Sequence, residues 1–215
     1  MDKNGHDNAK FDKIIFATGN AGKMKEIRMI LEDMGLEILS MKDAGISIDI
    51  VEDGSSYEEN AFIKARAVAA CKEAHGAAVL ADDSGLEIDY LGGEPGIYSA
   101  RYLGEDTPYS VKNADLLKRL EGVPDDKRTA RFVCAIAAVL PDGTELHARD
   151  CVEGRIDYTE KGEHGFGYDP IFYLPMFGRT TAELTEKEKN QVSHRGKALR
   201  LIKEEFKKYE GTDCK

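Results

Sequence analysis

The stretch that decides the fold is "IFATGNAGKMKEIRM", residues 15–29. A short apolar run ends in Thr-Gly-Asn, beginning at Thr18, and a segment with apolar residues three and four apart follows directly. This order predicts a strand over residues 13–17 and a helix over residues 21–34, which Gly35 is placed to end. A helix that begins right after a strand presents unpaired backbone N–H groups at the turn. The turn is therefore a candidate anion site.

The glycines of this turn do not match a P-loop. Gly19 and Gly22 enclose only Asn20 and Ala21, and neither Ser nor Thr follows Lys23. A P-loop has four residues between its first glycine and its Gly-Lys pair, with Ser or Thr next. Backbone N–H groups at a helix start and a nearby lysine still attract phosphate. The turn is either a phosphate site of another kind or an ordinary strand-to-helix turn with a solvated lysine.

Beyond this unit, the pattern predicts alternating strands and helices and, late in the chain, a hairpin. Strands are predicted over residues 36–39, 77–81, 86–91, 130–140, 145–152 and 168–173, and helices over residues 57–74, 108–120 and 195–209. This order favours an α/β fold with a mixed sheet flanked by helices. We expect a flexible N-terminal extension over residues 1–12, followed by a single domain, two-lobed, over residues 13–210.

The composition favours a small ligand over a polymer. Forty acidic and 30 basic residues give a formal net charge of −10. Proteins that bind nucleic acid gain much of their affinity from cationic contacts to phosphates, so nucleic acid and anionic membranes are poor partners for this chain. No apolar run approaches the length of a membrane span, and the polar N-terminus lacks the apolar segment of a secretion signal. We expect a cytoplasmic protein whose four cysteines are free thiols without metal-ligand spacing.

An acidic cluster follows the predicted strand over residues 77–81. In "VLADDSG", residues 79–85, Asp82 and Asp83 are adjacent, and neighbouring residues on a regular strand face opposite ways. Both carboxylates can serve one site only if the backbone turns there, which the Ser84-Gly85 pair that follows them would permit. Glu52 or Asp53 could then join the pair as ligands for magnesium, which binds few protein carboxylates. The alternative is an aspartate-rich turn that ends the strand.

Two further motifs point to a nucleotide. In "GFGYDPIF", residues 165–172, glycines flank Phe166 and Tyr168, so an aromatic face could be open to a flat ligand; a core strand is the alternative. Near the start of the last helix, Lys189, His194 and Arg195 form a basic cluster, which is unfavourable at a helix N-terminus unless an anion is present. An aromatic surface, cationic phosphate contacts and an acidic magnesium site together indicate a nucleoside triphosphate hydrolase.

These motifs, in this order, closely resemble those of the inosine triphosphate pyrophosphatase family. They read "FATGNAGKMKEI", "EDGSSYEENAFIKA", "LADDSGLEIDYLGGEPGIYSARY", "GFGYDPIF" and "KNQVSHRGKAL". The resemblance covers the chain from about Lys13 to Lys208. It implies an elongated mixed sheet with two lobes and a nucleotide cleft between them, and also a homodimer. It further implies magnesium-dependent hydrolysis of ITP, dITP and XTP to the monophosphate and pyrophosphate.

The resemblance also implies roles for individual residues. Asp83 matches the general base, and Glu52 with Asp83 would hold Mg²⁺, with Asp82 and Lys23 assisting catalysis beside them. The implied triphosphate contacts are Thr18, Gly19, Asn20, Ala21, Gly22 and Lys23, and Ser84 is a further substrate contact. Phe166, Gly167, Tyr168 and Asp169 would line the base and sugar, while Lys189, His194 and Arg195 would close over the base and phosphates.

Two other functions remain open at this point. A Maf-type nucleotide pyrophosphatase acting on modified pyrimidine or other nucleotides has a similar fold, although "SHRG" and "GFGYDP" favour the first reading. A nucleotide sensor that binds without turnover would have no need of Glu52, Asp82 and Asp83.

Overall fold

The structure, a computed structural model, describes residues 11–211 and is organised around one seven-stranded sheet. The strands are β1 (Lys13–Phe16), β2 (Glu37–Ser40), β3 (Ala78–Ile88), β4 (Thr129–Val139), β5 (Glu145–Ile156), β6 (Phe172–Leu174) and β7 (Arg179–Thr180). Their order is β2-β1-β3-β4-β5-β6-β7. Strand β1 pairs in parallel with β2 and β3, and all other pairs are antiparallel. The predicted mixed α/β sheet is therefore confirmed.

Within the described residues, five α-helices flank the sheet. They are α1 (Ala21–Leu31), α2 (Tyr57–Ala69), α3 (Tyr109–Arg119), α4 (Glu186–Val192) and α5 (His194–Gly211). Side-chain caps fix the starts of α1, α2 and α4: Asn20 accepts from the N–H of Lys23, Ser56 from the N–H of Glu59 and Thr185 from the N–H of Glu188. Such caps satisfy N–H groups that have no partner inside the helix.

The alternation of side chains along β1 assigns a different helix to each face of the sheet. Ile14 and Phe16 pack on one face with α1 and α5, whereas Ile15 packs on the other face with α2. Successive strand residues point to opposite faces. Along β3, Leu80 continues the first set and Val79 the second.

The apolar core divides along β3, which produces two lobes. The first residues of β3, including Leu80, belong to the clusters around β1, α1, α2 and α5. Its last residues, Leu86 and Ile88, belong to a separate cluster with Leu116 of α3 and Phe172 of β6. The stretch between the two clusters contains the two aspartates, so the acidic pair lies at the junction of the lobes.

The predicted turn at Ser84-Gly85 is wrong, because β3 runs without interruption from Ala78 to Ile88. Asp82 pairs with Ile136 and Asp83 with Ala135 in a regular antiparallel register with β4. The glycine at position 85 serves packing instead. A Cβ there would lie 2.3 Å from Gly96 O and 2.8 Å from Ser99 Oγ, so Gly85 permits a loop to approach the strand closely.

The segment around "GFGYDP" also differs from its prediction. A strand was expected over residues 168–173, but Asp169–Ile171 is a single 3-10 turn and β6 covers only Phe172–Leu174. The helix expected over residues 57–74 ends at Ala69 and is followed by a short 3-10 turn. Helix α4 and the two-residue β7 were not predicted.

The predicted extension over residues 1–12 lies outside the described residues except for its last two. Of these, Phe11 is buried and makes an edge-to-face contact with Phe206, at 5.6 Å between ring centroids, so the folded part begins before Lys13. Cys71, Cys134 and Cys151 are free thiols, as predicted, and Cys214 lies outside the described residues. Between residues 11 and 211, no helix has the length and apolar character needed to cross a membrane.

Candidate active site

A cleft lies where the lobes meet, and its floor is a part of β3 that pairs with β4 on one side but has no strand on the side of β1. Pairing with β1 ends at Phe16 and Leu80, with one more hydrogen bond from the Ala17 N–H to Leu80 O at 2.7 Å. From Asp82 to Ser84 this side of β3 borders a cavity of about 560 Å³. Side chains on both faces of a strand can be reached from its uncovered side. Both aspartates therefore line the cleft although the strand does not turn.

Asp82 is buried and fully engaged by cations. Its Oδ1 accepts from Lys23 Nζ at 3.0 Å, and its Oδ2 accepts from Arg195 Nε and from the Ser84 hydroxyl, each at 3.1 Å. Burial alone would raise the pKa of Asp82, but the charges of Lys23 and Arg195 outweigh it and hold that pKa far below its usual range. Asp82 is therefore a permanent anion that positions two cations of the cleft.

Asp83 points to the opposite face and has a different environment. Its Oδ2 accepts from Asn60 Nδ2 at 3.1 Å, its Oδ1 accepts from the Ser84 N–H at 3.0 Å, and Lys64 Nζ lies 3.7 Å away. Burial raises the pKa of Asp83, and the charge of Lys64 only partly opposes this. Of the two neighbouring carboxylates, Asp83 is thus the better proton acceptor.

Glu52 and Asp83 converge on a common volume that suits a cation. Lys64 Nζ lies 2.8 Å from Glu52 Oε2 and 3.7 Å from Asp83 Oδ1, so the two carboxylates flank one positive charge. Among residues 11–211, no group of three or more His, Cys, Asp or Glu side chains is arranged to hold a metal ion. A pair of carboxylates nevertheless fits Mg²⁺, which keeps several waters and also binds substrate phosphate oxygens.

The turn after β1 has the geometry of an anion site. Asn20 caps α1 through its Oδ1, which accepts from the Lys23 N–H at 3.0 Å, and the Thr18 hydroxyl accepts from the Asn20 N–H at 3.2 Å. Thr18, Gly19, Asn20 and Lys23 line the cleft. The dipole of an eleven-residue helix and the Lys23 ammonium thus face the same space.

Two residues expected to contact the triphosphate do not line this cleft. Neither Ala21 nor Gly22 is among its lining residues. Gly22 instead packs beneath Phe166, because a Cβ at that position would lie 2.9 Å from Phe166 Cδ1. The glycine therefore allows the phosphate turn and the aromatic segment to approach each other.

Phe166 presents a half-buried ring beside two cations. Lys189 Nζ lies 4.7 Å and Arg195 Cζ lies 5.7 Å from its centroid. Both distances fall within the range of cation–π attraction. The ring lines the cleft with Gly167, and it is the aromatic surface on which a flat base could stack.

Tyr168 and Asp169 line the cleft but are mostly buried, unlike the open aromatic face that was expected. The Tyr168 hydroxyl donates to Ser99 O at 2.7 Å, and its ring belongs to the second lobe's core. Asp169 accepts from Lys189 Nζ at 2.6 Å and from the Phe166 N–H at 2.8 Å. These two residues therefore hold the loop that presents Phe166.

His194 also lines the cleft, and it is buried and uncharged. Its ring stacks on Phe132, with 4.9 Å between centroids and an interplanar angle of 22°. Burial, reinforced by the charges of Arg195 and Lys189, lowers the pKa of His194 well below its usual value. Its Nδ1 is buried and has no hydrogen-bond partner within residues 11–211.

Three residues that organise the cleft were not predicted from the sequence. Glu26 on α1 contacts Arg195 Nη1 and lies 2.8 Å from Lys189 Nζ, so it links the two cations beside Phe166. The other two are Asn60 and Lys64, both on α2. For these two the sequence held a signal, because residues four apart share one face of a helix. In the structure both of them contact Asp83.

The sequence is similar to one family of proteins over most of its length. The sequence profile of the Ham1 family matches residues 14–205. A Clostridium perfringens protein named dITP/XTP pyrophosphatase is 48% identical over 198 residues, which are 91% of this chain and 97% of that protein. A Geobacillus kaustophilus protein of the same name is 45% identical over 199 residues, covering 93% of this chain and 96% of the other.

Solved structures agree with the sequence relatives. The Ham1 protein of Staphylococcus aureus superposes with a TM-score of 0.78 at 39% identity, covering 93% of this chain and 99% of that chain. The Mycobacterium abscessus protein described as nucleoside-triphosphatase / dITP/XTP pyrophosphatase superposes with a TM-score of 0.68 at 42% identity, covering 88% and 98%. The resemblance inferred from the motifs is confirmed, and the chain belongs to the Ham1 family.

Proposed function

We propose that this protein hydrolyses deaminated purine nucleoside triphosphates, ITP, dITP and XTP, to the monophosphate and pyrophosphate. The observation that carries the proposal is the pair of adjacent carboxylates on the floor of the cleft. Asp82 is held as an anion between Lys23 and Arg195, whereas Asp83 has a pKa that is raised by burial, although the Lys64 ammonium lies 3.7 Å away. Two carboxylates with opposite shifts commonly divide the tasks of positioning and proton transfer. The names of the C. perfringens and G. kaustophilus relatives support the same reaction.

Residues of the cleft supply the positive charge and the proton acceptor that hydrolysis of a triphosphate needs. Phosphoryl transfer depends chiefly on positioning and on neutralising the negative charge that spreads over the phosphates. Lys23 and the start of α1 bind the phosphates, and Asp83 accepts the proton of the attacking water. Lys64 keeps a positive charge beside Asp83, because its pKa remains above the usual value despite burial.

Glu52 and Asp83 are the residues that would hold Mg²⁺. When bound, such an ion neutralises phosphate charge and lowers the pKa of a coordinated water. Lys64 lies beside both carboxylates and would share this volume with the ion.

Base recognition falls to the side of the cleft that contains Phe166. Hypoxanthine and xanthine carry a 6-oxo acceptor where adenine carries an amino donor. Arg195 donates three hydrogen bonds, to Asp82, Glu26 and Ser84, which leaves two of its five N–H groups for a ligand. A pocket that pairs a donor with the oxo group can reject the amino analogue by roughly 10⁴-fold.

Homodimerisation and a cytoplasmic location complete the proposal. The first rests on the family resemblance, and the second is supported by the cysteines of the described residues, which are free thiols.

The first test is pyrophosphate release from ITP, XTP, GTP, ATP and dTTP, with magnesium and with excess chelator. We expect strong release from ITP and XTP that the chelator abolishes. Preference for a pyrimidine would favour a Maf-type activity. Binding of ITP without release from any nucleotide would favour a sensor.

Asn60→Ala is expected to move the acid limb of the pH–rate profile toward higher pH, by roughly one unit. Asn60 Nδ2 donates to Asp83 and so favours the ionised carboxylate. Without this bond the pKa of Asp83 rises further, and a higher pH is needed to form the active base. The measurement is kcat/KM for ITP across the acid range.

This variant also removes the bond from the Gly54 N–H to Asn60 Oδ1, which spans 2.9 Å. Loosening of that loop alone would lower the whole profile without displacing its acid limb. An unmoved limb would therefore contradict the assignment of Asp83 as the base.

A further inference from the structure

Lys42 lies at a position equivalent to that of Thr18 on the neighbouring strand. In the parallel pair of β1 and β2, Phe16 is in register with Ser40. Thr18 lies two residues after Phe16, and Lys42 lies two residues after Ser40, so both lie at the same end of the sheet. Neighbouring strands are separated by about 4.8 Å. The Lys42 segment is thus adjacent to the phosphate turn, and both residues line the cleft.

A closed turn holds Lys42 in this place. Asp43 Oδ2 accepts from the Ser40 N–H at 2.9 Å, from the Ser40 hydroxyl at 2.7 Å and from Arg28 Nη2 at 2.7 Å. The Gly45 N–H donates to Lys42 O at 3.1 Å, and Gly45 has a φ of 71°, which suits glycine. The backbone that carries Lys42 is therefore fixed before any ligand binds.

Lys42 differs from the other cations of the cleft in having no counter-ion among residues 11–211. The others pair with carboxylates: Lys23 and Arg195 with Asp82, Lys64 with Glu52, and Lys189 with Asp169. Within the described part of the chain, the exposed ammonium of Lys42 pairs with no carboxylate. It is consequently the cation of the cleft whose charge is not already neutralised by a protein carboxylate.

We propose that Lys42 is a further substrate-binding residue, which contacts the outer two phosphates of the triphosphate, those released as pyrophosphate. The inference rests on the proposed function, because it assigns a contact within that site. A flexible lysine on a rigid turn next to the phosphate turn can follow the terminal phosphates, and a phosphate chain is the ligand whose charge it would balance.

The test compares the wild type with Lys42→Met and Lys42→Arg, using the two reaction products as inhibitors of ITP hydrolysis. In Lys42→Met the inhibition constant of pyrophosphate should rise about tenfold, as expected for loss of one charged hydrogen bond. The inhibition constant of IMP should change less than about twofold, since IMP lacks the outer phosphates. Lys42→Arg should retain most of the pyrophosphate affinity because it keeps the charge.

The matched control is Lys72→Met, which changes the net charge equally at an exposed surface site where the lysine pairs with Glu73. It should leave both inhibition constants unchanged. The proposal is overturned if the constants for pyrophosphate and IMP rise by the same factor in Lys42→Met, or if pyrophosphate acts equally on the wild type and Lys42→Met, including no inhibition of either. Failure of the wild type to release pyrophosphate from ITP would instead refute the proposed function.

Discussion

Asp83→Asn should lose about 10²–10⁴-fold in turnover, the usual contribution of a general base, while it still binds ITP. The amide keeps the shape of the side chain but cannot take a proton from water. Lys64 keeps Glu52 as a counter-ion at 2.8 Å, so the fold should not be disturbed. Turnover is measured by pyrophosphate release, ITP binding by calorimetry, and the fold by thermal unfolding. Turnover like that of the wild type would show that Asp83 is not the base.

Asp82→Asn provides a matched control, because it makes the same chemical change one residue away on the opposite face of β3. It should weaken phosphate binding and lower the free energy of unfolding by about 3 kcal/mol, since Lys23 and the buried Arg195 lose a shared counter-ion. If the two variants behaved alike, the division of roles between the neighbouring aspartates would be wrong.

Arg128→Met should lower the free energy of unfolding by about 3–5 kcal/mol. The Arg128 guanidinium is buried and donates to three backbone carbonyls: Leu120 O at 2.7 Å, Ile156 O at 2.8 Å and Asp157 O at 2.6 Å. Methionine fills much of the volume but removes the guanidinium donors from Ile156 O and Asp157 O, whereas Leu120 O keeps the bond from the Val123 N–H at 3.1 Å. The expected fall in Tm is roughly 10 °C for a chain of this size. Thermal and denaturant unfolding both measure it.

The control for this prediction is Arg66→Met. Arg66 makes two hydrogen bonds of 2.7 Å to Glu145, but the two side chains are 57% and 37% exposed. Exposed ion pairs contribute at most about 1 kcal/mol. If Arg128→Met lowered the free energy of unfolding as little as Arg66→Met does, water or neighbouring donors would have to replace the guanidinium hydrogen bonds.

Local chemistry explains why the first unit of the fold could be predicted. Apolar alternation marks β1, Asn20 caps α1, and Gly35 adopts a left-handed conformation just after the 3-10 turn at Glu32–Met34. These signals act within a few residues and therefore appear in the sequence. The same is true of the turn and hairpin between β4 and β5.

The errors concern features that depend on distant parts of the chain. The straight course of β3 through Asp82 and Asp83 is imposed by ten paired positions with β4, about fifty residues later in the chain. Burial of Tyr168 depends on Ser99, which lies in a different loop and whose carbonyl oxygen accepts a hydrogen bond from the Tyr168 hydroxyl. Neither contact leaves a local signal, so sequence patterns favoured a turn in one place and a strand in the other.

The early end of β1 has a consequence for self-association. Unpaired strand backbone invites pairing with a strand of another chain, and inward-pointing charges are one means by which proteins prevent it. Beyond Leu80 the uncovered side of β3 carries Asp82 and Asp83, and the Ser84 N–H is already bonded to Asp83 Oδ1. Farther along, the Leu86 N–H donates to Ser99 Oγ. The two aspartates are therefore expected to oppose addition of a foreign strand, and so aggregation, at the side of β3 that β1 leaves uncovered.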